Sequence, residues 1–257
     1  MKNKDERMGS VSMKLINAVL GCTVCVVTSA TWADESKKWP FAGDITGNVG
    51  VFSSYNLRGI TNAPENSDAT LQGGLDYSHP SGFYAGYWGS TLGYSLADSE
   101  RDAFENDFYA GFKAKLTEDL GYTLGGTYYY FYESDVDSDG FETLLGLNYK
   151  NAGISAQTLT QNTTWGNKGD TYLLATYSHD LPSDFTANLA LGAYYYGDDD
   201  EFVKTTEDFG FRHFTVGVSH PLGNTGASMS LDYIVGGYYR VDEKQKNKVL
   251  FGAKYKF

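Results

Sequence analysis

From about residue 45 onward, the sequence repeats one unit: a stretch of alternating polarity followed by a turn. The apolar residues of each stretch take every second position, so they share one face of an extended strand and leave the other face to polar residues. Twelve such stretches succeed one another, at about 45–59, 70–79, 82–94, 106–116, 121–132, 141–150, 154–165, 170–180, 185–196, 209–220, 227–240 and 247–257. No helical periodicity of useful length interrupts them. The chain is therefore predicted to be all-β.

The connections between these stretches alternate in length. Short connections lie at 79–82, 117–120, 151–153, 182–184 and 222–226, and long ones at 61–69, 95–105, 133–140, 163–169, 197–208 and 241–246. Five short turns and six long loops are what an even-numbered barrel with both chain ends on one side requires. A soluble β-sandwich does not demand this alternation. We therefore predict an antiparallel transmembrane β-barrel, most simply of 12 strands, with short periplasmic turns and long extracellular loops.

Lysines mark one face of two predicted strands. Lys113 and Lys115 share the face opposite Phe112, and Lys254 and Lys256 share one face of the last strand. A charged side chain on the lipid face of a barrel costs about 2–4 kcal/mol at the middle of the bilayer. The lysine faces are therefore predicted to line the lumen, and the apolar faces to contact lipid.

The last predicted strand carries a second signal. Tyr255 and Phe257 are spaced by two at its end, and they resemble the C-terminal signal by which the barrel-assembly machinery recognises outer-membrane proteins. Aromatic runs at 128–132 and 194–196 precede long loops and fit the aromatic girdle of the outer interface. Such residues could instead form the core of a soluble barrel, but the alternating loop lengths argue against it. We predict localisation in the outer membrane of a Gram-negative bacterium.

The N-terminus has the features of a secretory signal. Lys14 precedes a short apolar stretch at 15–27, and small residues before a cleavage site come after it. The apolar stretch is too short to span a bilayer as a helix. We expect residues 1–33 to be a signal peptide, 34–44 a periplasmic segment and 45–257 the barrel.

The two cysteines and the charge balance restrict the chemistry. Cys22 and Cys25 lie within the predicted signal, so the mature chain is expected to have neither disulfides nor thiol chemistry. An alternative is a lipoprotein signal, because residues 19–22 resemble a lipobox. Removing residues 1–33 takes four basic and two acidic residues from totals of 20 and 32, which leaves a net charge of −14. That balance argues against a nucleic-acid partner. The expected partners are outer-membrane lipid and lipopolysaccharide, the barrel-assembly machinery and small solutes.

The charged residues suggest how a pore could be lined. Acidic residues concentrate in the long loops, and lysines lie at the periplasmic ends of strands. This layout predicts either a pore with an acidic mouth and a basic inner rim, or only soluble loops and ordinary interfacial lysines. The pore-lining candidates are Arg58, Asp76, Tyr84, Trp88, Lys113, Lys115, Lys254 and Lys256.

The strand number limits the size of that pore. Eight strands leave little interior and sixteen leave an aqueous channel, so a barrel of 12 strands lies between them. We predict a narrow channel for small polar or charged solutes. The alternatives are a non-conducting structural or adhesion barrel that acts through acidic extracellular loops, and a barrel-type lipid-modifying hydrolase.

Three stretches near the predicted start of the barrel resemble a known family. They lie at 48–60, 71–77 and 82–88, and the similarity is strongest over 46–94. The chain resembles the TorF-type porins, a proteobacterial outer-membrane family of unknown function. The resemblance implies an outer-membrane barrel and a pore. It implies no substrate and no family site residues.

Two local patterns contain residue types that occur in catalytic or metal-binding sites. Ser178-His179 is one of three Ser-His pairs at strand ends, but adjacent strand residues point to opposite faces, so no enzyme is predicted. Asp135, Asp137 and Asp139 match the first half of a calcium loop, without the glutamate expected at its twelfth position. We expect a solvated acidic loop with at most weak Ca²⁺ or Mg²⁺ binding, and no other cofactor.

Overall fold

The computed structural model describes residues 42–65, 67–96, 102–132, 134, 138–197 and 202–257, and they form a closed antiparallel barrel. Its twelve strands are β1 (Asp44–Phe52), β2 (Thr70–Ser78), β3 (Phe83–Thr91), β4 (Phe104–Lys115), β5 (Leu120–Tyr132), β6 (Gly140–Tyr149), β7 (Ala152–Leu159), β8 (Thr171–Asp180), β9 (Thr186–Tyr195), β10 (Phe209–Pro221), β11 (Ala227–Gly236) and β12 (Lys248–Lys256). Each strand pairs with its neighbours in the sequence, and β1 pairs with β12. The predicted fold class is confirmed. The predicted signal peptide lies outside the described residues.

The alternation of connection lengths is also confirmed. The short turns lie at 79–82, 116–119, 150–151, 181–185 and 222–226 and define the turn end of the barrel. The long loops are L1 (53–69), L2 (92–103), L3 (133–139), L4 (160–170), L5 (196–208) and L6 (237–247), and they define the loop end. Over the described part of the chain, no helix has the length and apolar character needed to cross a membrane.

The outer surface of the barrel is apolar and the inner surface is polar. In β12, Val249 is 55% exposed whereas its neighbour Leu250 is 7% exposed. In β9, Leu191 is exposed whereas Asn188 and Ala190 are buried. Soluble monomers rarely expose contiguous apolar patches of more than a few hundred Å². A belt of outward apolar side chains around a closed barrel is the surface that a transmembrane barrel presents to lipid.

The barrel closes where the chain ends. The backbone of Gly47 in β1 exchanges two hydrogen bonds with Phe257, with N···O distances of 2.8 and 3.0 Å. The rings of Tyr255 and Phe257 both point outward, and their centroids lie 6.0 Å apart. Both residues of the predicted assembly signal therefore lie on the lipid-facing surface at the turn end.

Three strands are shorter than predicted, and the difference has a common cause. The predicted strands ran to residues 59, 165 and 240, whereas β1, β7 and β11 end at Phe52, Leu159 and Gly236. In each case the chain leaves the wall and begins a loop that carries buried polar side chains, among them Ser54, Asn167 and Arg240.

Two further predictions, the start of β4 and the regular alternation of β10, were wrong. β4 begins at Phe104, so Glu105, which was predicted in a loop, lies in the wall and is buried. In β10 the register with β9 shifts between Phe211 and His213. A bulge of this kind inserts one extra residue and reverses the side-chain alternation. Arg212 and His213 are consequently both buried inside the barrel.

Candidate functional site

L1 folds into the barrel and crosses its lumen near the loop end. Tyr55 is 1% exposed, and its hydroxyl donates a hydrogen bond to Glu105 of β4. Beyond it, Arg58 reaches Glu142 of β6. The backbone N–H of Thr61 donates to Oε1 of Gln245 in L6, at 3.0 Å. L1 therefore contacts the wall at widely separated strands and narrows the passage.

Arg58 is the main anchor of L1. Its guanidinium makes a bidentate pair with Glu142, with N···O distances of 2.8 and 2.5 Å, and the two side chains are 3% and 2% exposed. It also donates to the hydroxyls of Tyr194 and Tyr129, at 2.7 and 3.2 Å, and lies 4.9 Å from the centroid of the Tyr172 ring. Burial opposes the charge of Arg58, but the Glu142 carboxylate and the hydroxyls of Tyr194 and Tyr129 together outweigh this effect and raise the pKa of Arg58 well above its ordinary value. Arg58 is therefore charged.

A glycine lets L1 lie against the opposite wall. Gly59 has a φ of +77°, and a Cβ atom at this position would lie 2.5 Å from Cβ of His213 in β10. Any other residue would strain the backbone and collide with the histidine. His213 is itself fixed, since its Nε2 lies 2.7 Å from the Tyr172 hydroxyl and its Nδ1 lies 3.0 Å from Oγ1 of Thr215. L1 is thus held on two sides of the lumen.

A second buried ion pair lies between L4 and L6. Nη2 of Arg240 in L6 lies 2.6 Å from Oδ2 of Asp170 in L4, and both side chains are 3% exposed. The Arg240 guanidinium also lies 4.9 Å from the centroid of the Tyr196 ring and 5.6 Å from that of Tyr239. Burial opposes its charge, but Tyr239 and Asp170 raise the pKa of Arg240. Buried arginines therefore join L6 to L4 and L1 to the barrel wall.

The inner wall carries acids on one side and an arginine on the other. Glu105 and Asp107 of β4 are both buried, and Oδ1 of Asp107 has no hydrogen-bond partner in the described structure. Arg212 lies on β10, six strands away from β4 in a ring of twelve. These charges consequently face the lumen from opposite walls, with L1 between them.

The predicted pore-lining residues of β2 to β4 mostly lie nearer the turn end. Asp76 accepts a 2.5 Å hydrogen bond from the Tyr109 hydroxyl. Tyr84 is buried, and Nζ of Lys113 lies 5.9 Å above its ring without a hydrogen-bond partner among the described atoms. Trp88 lies further up β3 and packs against the cluster that includes Tyr55 of L1.

The remaining predicted pore-lining lysines are less buried than Lys113 or lie on another strand. Lys115 is the last residue of β4; it is exposed, and its Nζ donates to the carbonyl of Glu118 at 3.4 Å. Lys254 and Lys256 are half-buried on the inner face of β12. Arg58 is separate from this group, because it lies on L1 at the loop end rather than on a strand.

Sequence reasoning did not predict several of the charged residues that face the lumen, although two features of the sequence indicate them. Glu105 and Asp107 lie an even number of positions before Lys113, which was predicted to face the lumen, so the same periodicity reaches them. In β10 the outward residues Phe211 and Phe214 are spaced by three instead of two, which is the mark of a bulge. No such signal identifies Glu142 as the partner of Arg58, since 84 residues separate them.

The other chemical candidates show ordinary structural contacts. Oγ of Ser178 points inward and donates to Asn188 at 2.9 Å, whereas the His179 ring stacks on Tyr177 on the outer face. Asp135 and Asp137 lie outside the described residues, and Asp139 accepts hydrogen bonds from Tyr128 and from the Phe131 backbone. Within the described ranges, no group of three or more His, Cys, Asp or Glu residues has metal-binding geometry.

Comparison with known proteins identifies the architecture and the family. The KdgM porin aligns with a TM-score of 0.51 over 83% of this chain and 98% of its own, at 7% identity. A structure from work on the in-meso crystallization of membrane proteins aligns with a TM-score of 0.50 over 84% of this chain and 83% of its own, at 14% identity. OprD from Pseudomonas aeruginosa gives 0.42 over 84% of this chain and 66% of its own, at 12% identity. No curated protein sequence matches the chain. Residues 39–248 match the model of a bacterial protein family of unknown function, and the chain belongs to that family, Gcw_chp.

Proposed function

We propose that this protein is an outer-membrane channel that passes small polar or charged solutes through a narrow lumen. One observation carries the proposal: a closed barrel with a lipid-facing apolar exterior encloses a wall lined by charged side chains. Inward charges such as Asp76 and Lys254 are only half-buried, and charges are costly inside a protein unless paired or hydrated. A water-filled path for solutes supplies a reason for their presence. The likeness to the KdgM porin supports this proposal, as does the resemblance to TorF-type porins.

L1 limits what can pass. A barrel of twelve strands encloses only a small lumen, and the buried residues of L1 occupy the part of it at the loop end. The solutes that pass are therefore small, and large molecules do not pass. In this orientation the turn end faces the periplasm, and Tyr255 and Phe257 are available to the assembly machinery there. Lipopolysaccharide, and weakly held Ca²⁺ or Mg²⁺, belong at the acidic loops.

Liposome swelling tests the proposal. We expect vesicles that contain the purified protein to swell in arabinose much faster than protein-free vesicles, and to swell little in the trisaccharide raffinose. Equal swelling in both sugars would mean that L1 does not narrow the lumen. No swelling in either sugar would reject the channel for the wild-type protein.

A second candidate is a non-conducting barrel that acts through its acidic loops. The observation in its favour is the same buried L1, anchored by Arg58 and packed against His213. The two candidates predict different permeabilities once the anchor is removed. If vesicles with the Arg58→Ala variant stay impermeable to arabinose, the non-conducting barrel is supported. If they swell, the lumen is a channel that L1 restricts.

A further inference from the structure

Arg212 is unlike the two other buried arginines at the loop end. Arg58 pairs with Glu142 and Arg240 pairs with Asp170, each at 2.6 Å or less. Arg212 is 1% exposed, yet no carboxylate of the described residues lies within salt-bridge distance of its guanidinium. A buried charge without its counter-ion is strongly destabilising. An arginine in this state is therefore expected to serve a purpose other than stability.

The contacts of Arg212 leave it able to bind an anion. Its Nη1 donates one hydrogen bond, to the carbonyl of Tyr238 at 3.0 Å, and its Nε has no partner in the described structure. The ring centroids of Tyr239 and Tyr194 lie 4.9 and 5.5 Å from the guanidinium carbon. These rings hold the planar group in place without neutralising it. A held guanidinium fork with free N–H groups matches the two oxygens of a carboxylate.

The bulge in β10 places Arg212 toward the lumen. Without the extra residue, the alternation set by Phe214 would direct position 212 outward, toward lipid. The next residue, His213, packs directly against Gly59 of L1. Glu65 of L1 interacts electrostatically with Arg212, although the two form no ion pair in the described structure. L1 therefore lies over the position that an anion would occupy.

We propose that Arg212, held between Tyr194 and Tyr239, is a binding site for small carboxylate anions inside the lumen, and that L1 covers it. This inference rests on the proposed channel function and names a class of solute for it. Acetate is the simplest probe, and acetamide is its neutral counterpart of nearly the same shape.

The first test measures ion selectivity in planar bilayers. Reversal potentials in gradients of KCl and of potassium acetate give the permeability of each anion relative to K⁺. We expect Arg212→Gln to lower both ratios about tenfold, which corresponds to about 1.4 kcal/mol of lost attraction. Arg212→Lys should keep most of the chloride ratio and lose more of the acetate ratio, because it keeps the charge without the fork. Lys168→Gln, which removes an exposed loop-end charge, is the matched control and should change neither ratio.

The second test measures binding without conduction. Saturation-transfer NMR on the protein in deuterated detergent should detect acetate but not acetamide, and the acetate signal should disappear in Arg212→Gln. The signal should grow in Arg58→Ala, in which L1 is released. Far-ultraviolet circular dichroism and heat-modified gel mobility establish that each variant is folded.

The two tests separate the inference from the function on which it rests. If the wild-type protein and Arg58→Ala both fail to conduct, the channel is rejected, and the NMR result alone decides whether Arg212 binds acetate. If the protein conducts and folded Arg212→Gln keeps its anion ratios and its acetate signal, the channel stands and the carboxylate site is rejected.

Discussion

Replacing Arg58 with alanine is expected to release L1 and widen the channel. The substitution removes both hydrogen bonds to Glu142 and the contacts with Tyr194, Tyr129 and Tyr172. It leaves the Glu142 carboxyl group buried, and among the described residues only the 2.8 Å hydrogen bond from the Tyr129 hydroxyl remains to it. The folded barrel should survive, because Arg58 takes no part in the strand pairing that closes the barrel.

The structure allows the size of the effect to be estimated. Removing one partner of a buried ion pair costs about 3–5 kcal/mol. If that free energy is lost only when L1 occupies the lumen, the ratio of inward to outward L1 falls by roughly 10²- to 4 × 10³-fold. A loop that spends almost all its time inside the wild-type lumen would then be outside for a large part of the time.

Two measurements detect the released loop. Single-channel recording should show a larger or more fluctuating conductance in Arg58→Ala than in wild type. Chymotrypsin should cleave after Tyr55 or Leu57 much faster in the variant, since Tyr55 is buried and Leu57 packs against its cluster in the wild type. Lys150→Ala is the matched control, because its pair with Asp119 has an N···O distance of 3.5 Å and is exposed to solvent. Such surface pairs contribute about 0–1 kcal/mol, so neither readout should change.

A clear result would refute this reasoning. If Arg58→Ala has the wild-type conductance and L1 resists chymotrypsin as before, the ion pair does not hold the loop. The double variant Arg58→Ala/Glu142→Ala then separates the loss of the ion pair from the cost of leaving Glu142 unpaired. Its effect should be smaller than the sum of the single changes, because the alanine at position 142 removes the unpaired carboxylate.

Three further predictions concern the wall and the loop contact. Gly59→Val should displace L1 from His213 and raise arabinose swelling, and a swelling rate equal to wild type would show that this contact does not hold the loop. Asp76→Asn removes a half-buried inward carboxylate of β2 and should raise the chloride-to-potassium permeability ratio several-fold, with reversal potential as the measure; an unchanged or lower ratio would contradict the assignment of Asp76 to the lumen. Leu231→Lys puts a charge on the lipid face and should lower the free energy of unfolding from liposomes by about 2–4 kcal/mol. Ser228→Lys on the inner face is its control, and equal losses would contradict the inward and outward assignment.

The fold could be predicted from the sequence because each strand carries its own signal. An alternation such as that around Phe112 and Lys113 fixes which face meets lipid, and the alternating loop lengths fix an even number of strands. The predicted ends were wrong where the chain leaves the wall, as after Phe52, because the sequence alone does not show where a segment turns from the wall into the lumen. The pairing of β1 with β12 follows from the barrel itself, because closing the barrel gives hydrogen-bond partners to the two edge strands.

The candidate site could be predicted only in part. Periodicity was sufficient to assign Tyr84 and Lys113 to the inner face, and it reaches Asp107 as well. It could not show that Arg58 lies on a folded-in loop, because that depends on Glu142, a residue distant in sequence whose position is set by the closed barrel. The proposed role of Arg212 depends on a bulge and on the lack of a carboxylate within salt-bridge distance among the described residues, and the second of these is a property of the three-dimensional structure alone.

The most direct test of a channel restricted by L1 compares single-channel conductance in wild type and in a variant whose residues 54–68 are replaced by a short Gly-Ser linker. We expect discrete conductance in both proteins, with a markedly larger value in the variant, because the lumen of twelve strands is then no longer narrowed. Equal conductance in the two folded proteins, or none in either, would contradict this account.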